Sequence, residues 1–246
     1  MKNETLLHIP HAATAIPEKY LSSFPAGKLP RELAVMTDWF CDELFPEGRE
    51  RIVFPVSRLL CDVERFREDG KEVMAQIGMG TVYESCSDLR PLRRVTAMEK
   101  EQILREYYDA HHRIFTAAVD KRLNKFGRCL IIDCHSFFPT PLPYERDQSP
   151  DRPDFCIGTD EFHTPPAMAD ALAALLEGEG FTVRINSPFS GAIVPMKHYG
   201  KTKAVSSVML EVNRRLYLSA PGVKGSNFDH IRGILQRCVQ TAETFR

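Results

Sequence analysis

Short apolar runs alternate along the chain with longer amphipathic stretches, the order expected of an α/β fold built on a largely parallel or mixed sheet. Runs at 5–10 (TLLHIP), 51–57 (RIVFPVS), 129–135 (CLIIDCH), 154–159 (DFCIGT), 181–186 (FTVRIN) and 206–213 (SSVMLEVN) predict strands. Their dense Val, Ile, Leu and Cys predicts cover on both faces. Between them, Leu33, Met36, Phe40 and Leu44 predict a helix over 31–45, and Ile103, Tyr107, Ile114, Ala118 and Leu123 a long one over about 98–126. Segment 166–180 opens with proline and closes with glycine, the usual helix punctuation, and apolar residues recur helically over about 227–244. Stretches 66–97 and 136–153 fit neither period. Loops this long in a compact domain are more often functional than idle. No repeat, low-complexity tract or linker divides the sequence, so one α/β domain over 1–246 is expected.

Composition narrows the class of function. With 43% apolar residues among 246, the chain can bury a substantial core. Lys plus Arg (32) nearly cancels Asp plus Glu (33), which favours a small-molecule substrate over a nucleic-acid or membrane partner. The start, MKNETLLHIP, is acidic where a secretory leader is basic, and no run reaches transmembrane length. Seven cysteines, odd in number and without a CxxC pair, fit reduced thiols in a cytoplasm.

In parallel α/β sheets, ligands bind beyond the carboxyl ends of the strands. The polar residues there are His11 after the first run, Asp62, Glu64 and Arg65 after the second, Asp133, His135 and Ser136 at the third, Asn186 after the fifth, and Glu211, Asn213 and Arg214 at the last. Two histidines after separate strands, with a nearby carboxylate, suit a zinc ion, and His11 and His135 are the expected ligand pair. Strand alternation puts Asp133 on the face of His135, as its support, and turns Cys134 away into packing. It also argues against His135 serving as base for Cys134 or Ser136; Ser136 could equally bond local backbone. Glu211 lies in an otherwise apolar strand, where a carboxylate is costly without a partner. It reads as a general base, or else as an ion pair with Arg214 or Arg65.

Together these residues resemble the N-formylglutamate amidohydrolase family, itself similar to zinc carboxypeptidases and aspartoacylases. The matching stretches are PHAATAIP (10–17), TDW (37–39), CDVERF (61–66), YYDAHH (107–112), DCHS (133–136), NSPFSGA (186–192), and HYG followed by LEVNRRLY (210–217), in the family's order. The resemblance implies a carboxypeptidase-like three-layer sandwich. It also implies one zinc held by His11, His135 and a third ligand, Asp38 at a helix start after a possible N-cap Thr37, with Glu64 as second choice. Glu211 falls at the position of the catalytic glutamate, and Arg65 at that of the arginine that binds a substrate carboxylate. Asn186, Arg214 and His112 are weaker substrate-binding candidates, and Tyr199 could close over substrate as a hydroxyl donor. The chain departs from the family pattern at Glu64, where asparagine is usual, and at Ala12 and Ala13, where serine and glycine follow the histidine. Glu64 beside Arg65 would disfavour a dianionic substrate: like charges about 4 Å apart cost about 4 kcal/mol at an effective dielectric near 20.

The expected activity is zinc-dependent hydrolysis of a linear amide of an N-acyl or N-formyl amino acid. The competing readings are a zinc amidase acting on a peptide or cell-wall fragment, with Glu64 meeting an amine, and a noncatalytic member that binds a metabolite. A cysteine or serine hydrolase ranks last.

Overall fold

The computed structural model describes residues 4–245, so Met1 to Asn3, on which the reading of the amino terminus partly rests, and Arg246 lie outside it. In chain order the main elements are β1 (Thr5–Ile9), α1 (Glu18–Leu21), α2 (Leu29–Met36), α3 (Cys41–Leu44), β2 (Glu50–Val53), α4 (Ala97–Ile103), α5 (Asp109–Phe126), β3 (Cys129–Phe137), β4 (Phe155–Gly158), α6 (Pro166–Gly178), β5 (Val183–Ile185), β6 (Val205–Asn213) and α7 (Phe228–Ala242). A short hairpin, Leu218–Ala220 with Val223–Lys224, precedes α7.

Six strands form one mixed sheet in the order β2-β1-β3-β6-β4-β5. The first four run parallel; β4 pairs antiparallel with β6 and parallel with β5. All six strand expectations correspond to strands, with bounds shifted by one to four residues.

Side-chain alternation sorts the sheet's two faces. Leu7, Ile9, Leu130, Ile132, Cys134, Val208, Leu210 and Val212 pack with Leu44, Leu172, Ile231 and Leu235, under α3, α6 and α7. Leu6, Cys129, Ile131 and Val205 pack on the other face with Phe115, Ala118 and Val119 of α5. Helices therefore cover both faces, as the near-continuous apolar strands require. Among the described residues no helix is long and apolar enough to cross a membrane, and all seven cysteines are buried free thiols.

Three departures from the expected elements matter for the site. The helix over 31–45 is broken: α2 stops at Met36, and Phe40 takes a left-handed φ of 60° before α3. Thr37 is the C-cap of α2, so Asp38 sits in a bend between two helices instead of opening one. The long helix contains a π turn, Leu104–Tyr108, between α4 and α5. Its wider i→i+5 turn displaces the downstream face by one residue: Phe115 is fully buried, whereas Ile114, expected inward, is 59% exposed. Finally, much of 66–97 is a packed lobe, with 3₁₀ turns at Asp69–Lys71 and Val73–Ile77. Met79, Val82, Tyr83 and Leu92 share a core there with Leu59, Leu60, Ile103 and Leu104.

Candidate active site

The carboxyl ends of β1, β3 and β6 open into a cavity of about 600 Å³. His11 follows β1, and its backbone carbonyl accepts the amide N–H of Asp38 at 3.0 Å, which pins the bend after α2 to the strand end. In β3 and β6, His135 and Glu211 are register partners, as are His8 of β1 and Asp133 of β3. The segment after Cys61 brings in Asp62, Glu64 and Arg65. It is held from the long helix: His112 Nε2 donates to the Val63 carbonyl (2.8 Å) and the Tyr108 hydroxyl to that of Arg65 (2.8 Å).

The hydrogen-bond polarity around the two histidines can be worked out from the carboxylates, which only accept. Asp62 Oδ1 lies 2.9 Å from His11 Nε2, and the same carboxylate takes Arg58, the Tyr83 hydroxyl and the Glu64 amide. Burial works to raise the Asp62 pKa, but Arg58 and then His11 outweigh it and hold the group well below the usual carboxylate range. His11 Nε2 therefore carries a hydrogen, and in the neutral ring Nδ1 is bare; that atom is buried and without a hydrogen-bond partner.

The same logic applies to His135. Its Nε2 donates to Glu64 Oε1 at 3.2 Å, with Asp133 Oδ1 3.0 Å away, and its Nδ1 donates to Asp38 Oδ2 at 3.2 Å, so both ring nitrogens carry hydrogen. His11 Nδ1 faces the same atom, Asp38 Oδ2, at 3.7 Å. Asp38 is fixed from behind by Arg214, whose Nη2 donates to Oδ1 at 2.8 Å, and by the Ser136 amide on Oδ2 at 3.3 Å. Although burial opposes a charged carboxylate, the two imidazoles and Arg214 keep Asp38 well below its ordinary pKa. Burial likewise opposes charge on His135, yet Glu64 and Asp133 raise it well above the ordinary histidine value. His11 is also raised, against burial and Arg58, by Asp62 and Asp38. The site thus favours positive charge between the two rings.

Among the described residues, two groups of side chains place one ligand atom each within 4.8 Å of one another and could hold a metal ion: His11, Glu64 and His135, and His8, Glu64 and Asp133. Glu64 approaches the histidines on their Nε2 sides, at 3.2 Å from His135 and 3.8 Å from His11. Asp38 approaches them on their Nδ1 sides.

Glu211 is 7% exposed and makes no hydrogen bond or ion pair with the described residues; its Oε2 is buried without a partner. The ion-pair alternative with Arg214 or Arg65 is therefore not realised. Burial first, then the charges of Asp38 and Glu64, push its pKa up to about 8, against the pull of His135 and Arg214.

The chain belongs to the N-formylglutamate amidohydrolase family. A family model described as N-formylglutamate amidohydrolase matches residues 3–218. A protein named N-formylglutamate deformylase from Pseudomonas putida is 24% identical over 226 residues, 87% of this chain and 81% of its own. Among solved structures, an N-formylglutamate amidohydrolase from Ralstonia eutropha JMP134 superposes with a TM-score of 0.81 at 22% identity, covering 98% of this chain and 94% of that one. A protein from Agrobacterium tumefaciens superposes at 0.72 with 20% identity over 99% and 92%. Those two likenesses speak for the fold. Family membership makes the chain a hydrolase of carbon–nitrogen bonds.

The remaining expected family site residues divide in the structure. Arg65 lines the cavity with no side-chain hydrogen bond; its Nε is buried, and its nearest acid contact is Asp62 at 3.8 Å. Arg214 reaches the cavity too, but its donors go to Asp38, to the hydroxyl and carbonyl of Ser136 and to the carbonyl of Val35. Tyr199 is 44% exposed at the cavity edge, its ring stacked near His163. His112 also borders the cavity, but its Nε2 is used on Val63. Asn186 is not among the cavity-lining residues: at φ 57° it clamps Thr159 through both side-chain atoms (2.8 and 2.7 Å). Two residues that sequence reasoning passed over, His8 and His111, lie directly behind Asp133. Each sits within an apolar run or helix face, where a histidine reads as packing.

Proposed function

We propose that this family member is a zinc-dependent amidohydrolase that cleaves the linear amide of an N-acyl or N-formyl amino acid. The observation that carries the reading is the convergence of three buried groups, His11 Nδ1, His135 Nδ1 and Asp38 Oδ2, where a metal ion would take the place of the proton that His135 Nδ1 shares with Asp38 and would engage the unpartnered His11 Nδ1. Two imidazole nitrogens and a carboxylate oxygen suit zinc, and a carboxylate on the far nitrogen of each ring is the usual outer support of such ligands. For this reason Asp38 is preferred over Glu64 as third ligand. Ligation through the Nε2 atoms facing Glu64 would require His11 to give up Asp62 and His135 to give up Asp133.

Zinc held there supplies Lewis acidity toward an amide carbonyl and a water of lowered pKa. The chain's own residues do the rest. Glu211, with a buried oxygen that has no partner among the described residues, takes a proton and hands it to the leaving amine. Arg65, which lines the cavity with Asp62 at 3.8 Å as its ion-pair partner, binds the substrate carboxylate through its planar fork. Arg214 and Ser136 hold Asp38 in place. The rest of the wall includes exposed apolar side chains, Phe66 (52%) and Met196 (63%), together with Leu142 and Phe189. Arg58, Arg65 and Arg146 line the same cavity, so the wall offers apolar surface beside cationic groups.

The test is zinc-loaded protein assayed for amine release from a panel of N-formyl and N-acetyl amino acids. Hydrolysis that a chelator abolishes and zinc restores is expected; zinc-replete protein that hydrolyses none of the panel would favour a metabolite-binding role.

A further inference from the structure

Behind the site a line of hydrogen bonds runs into the interior. His111 Nε2 of α5 lies 2.9 Å from His8 Nε2 of β1, and His8 Nδ1 lies 2.8 Å from Asp133 Oδ1. That oxygen forms an ion pair with His135 Nε2 at 3.0 Å, and the same nitrogen donates to Glu64 Oε1 at 3.2 Å. All four side chains are buried. The His8 ring is stacked on Phe115 (centroids 4.6 Å, 13° between planes), and His111 stands edge-on to Phe54 (5.2 Å, 84°).

Only one order of protons satisfies the line with His8 and His111 neutral. Asp133 accepts from His8, so His8 carries its hydrogen on Nδ1 and leaves Nε2 bare. His111 must then donate through Nε2. Burial, followed by the nearby His8 and His112, pushes the His111 pKa down to about 2, in keeping with a neutral donor.

We propose that His111 and His8 are positioning residues that act through Asp133 to orient the His135 ring, keeping hydrogen on its Nε2 and aiming its Nδ1 at the metal position. The proposal rests on the metal reading above but adds two residues to it. Without the His111 donor, His8 is left with a bare buried Nε2. Its hydrogen stays on Nδ1 for the Asp133 carboxylate at 2.8 Å, but the ring has lost the bond that fixed it from behind. Asp133 is then held by a loosely placed partner and is no longer aligned on His135. Outer partners of this kind are typically worth about 10- to 100-fold in metal affinity.

The test compares wild type, His111→Phe and His111→Gln, measuring zinc affinity by chelator competition, the absorption bands of the cobalt-loaded forms, and the melting of the metal-free forms. Phenylalanine fits a site already lined by Phe54 and Phe115, and glutamine keeps an N–H donor. The expected result is zinc bound about 10- to 100-fold more weakly by His111→Phe, with altered cobalt bands, an affinity largely restored in His111→Gln, and metal-free melting little changed. Wild-type affinity in His111→Phe overturns the relay. So does equal weakening in both variants that tracks a fall in metal-free melting, which marks His111 as packing alone. Failure of wild type to bind zinc overturns the metal reading itself, and the relay with it.

Discussion

His11 Nδ1 and Asp38 Oδ2 face each other across 3.7 Å, while the opposite nitrogen of the same ring is tied to Asp62 at 2.9 Å. The two carboxylates thus have separate roles, since Asp62 orients the ring and Asp38 shares the space into which His135 also points. Replacing Asp38 with asparagine should strip most of the metal during dialysis, whereas Glu64→Gln should retain it. Metal content by mass spectrometry decides; loss in Glu64→Gln with retention in Asp38→Asn would assign the third ligand to Glu64.

Glu211→Gln should leave metal content unchanged and lower kcat by about 10²- to 10⁴-fold, the range of general acid–base catalysis. Steady-state kinetics on zinc-loaded protein checks it, and a loss below tenfold would remove Glu211 from the proton path.

The same residue predicts how the metal-free protein responds to pH. Its folded pKa, about 8, lies above the ordinary 4.5, so the folded state keeps this proton longer than the unfolded chain. This contribution to stability is complete below about pH 4.5 and is lost as pH rises through about 8. Urea midpoints of metal-free protein between pH 5 and 8.5 should show it as a fall that Glu211→Gln removes; equal slopes in the two proteins would mean that Glu211 ionises normally.

Arg65→Ala should raise KM for substrates bearing a carboxylate and leave a matched uncharged amide unaffected. A hydrogen bond to a charged group is worth about 1.5 to 3 kcal/mol, so the expected loss in kcat/KM is about 10- to 150-fold. With wild type, N-formyl-leucine should be hydrolysed more efficiently than N-formylglutamate, because Glu64 beside Arg65 repels a second carboxylate. A strong preference for N-formylglutamate, or for amides carrying an amine, would redraw the substrate side of the cavity.

Asn186→Ala should cost about 1 to 2 kcal/mol, because alanine is strained at the left-handed φ of 57° and cannot bond Thr159. Denaturant titration measures that cost. Since Asn186 does not line the cavity, kcat/KM should stay at the wild-type value, and a raised KM would show contact with substrate.

How far these features can be read in advance depends on which physical rule governs them. The cluster of His11, His135 and Glu211 is legible because parallel strands end at a common edge, and alternation along DCHS correctly separates the buried Cys134 from the face of Asp133 and His135. The reversed direction of β4 leaves no trace in composition, since an apolar strand buried on both sides reads alike in either orientation. His8 and His111 are illegible for a related reason: 103 residues apart, they become informative only as a pair. Asp62 stands out as polar after a strand, but its bond to His11 depends on a segment that follows no helical or strand period. Arg214 reads as a substrate-binding candidate or a partner for Glu211 until Asp38, 176 residues earlier, is seen to occupy it.

The π turn at Leu104–Tyr108 sets the angular clock between the two halves of the long helix. Upstream, Ile103 and Leu104 engage the lobe that carries Glu64 and Arg65; downstream, His111 and Phe115 engage the sheet that carries His8 and His135. One residue is about 100° of rotation. A single-residue deletion in that turn would therefore leave both contacts chemically possible but never simultaneous, so that the lobe and the metal-facing sheet would fall out of phase without any site residue having been changed.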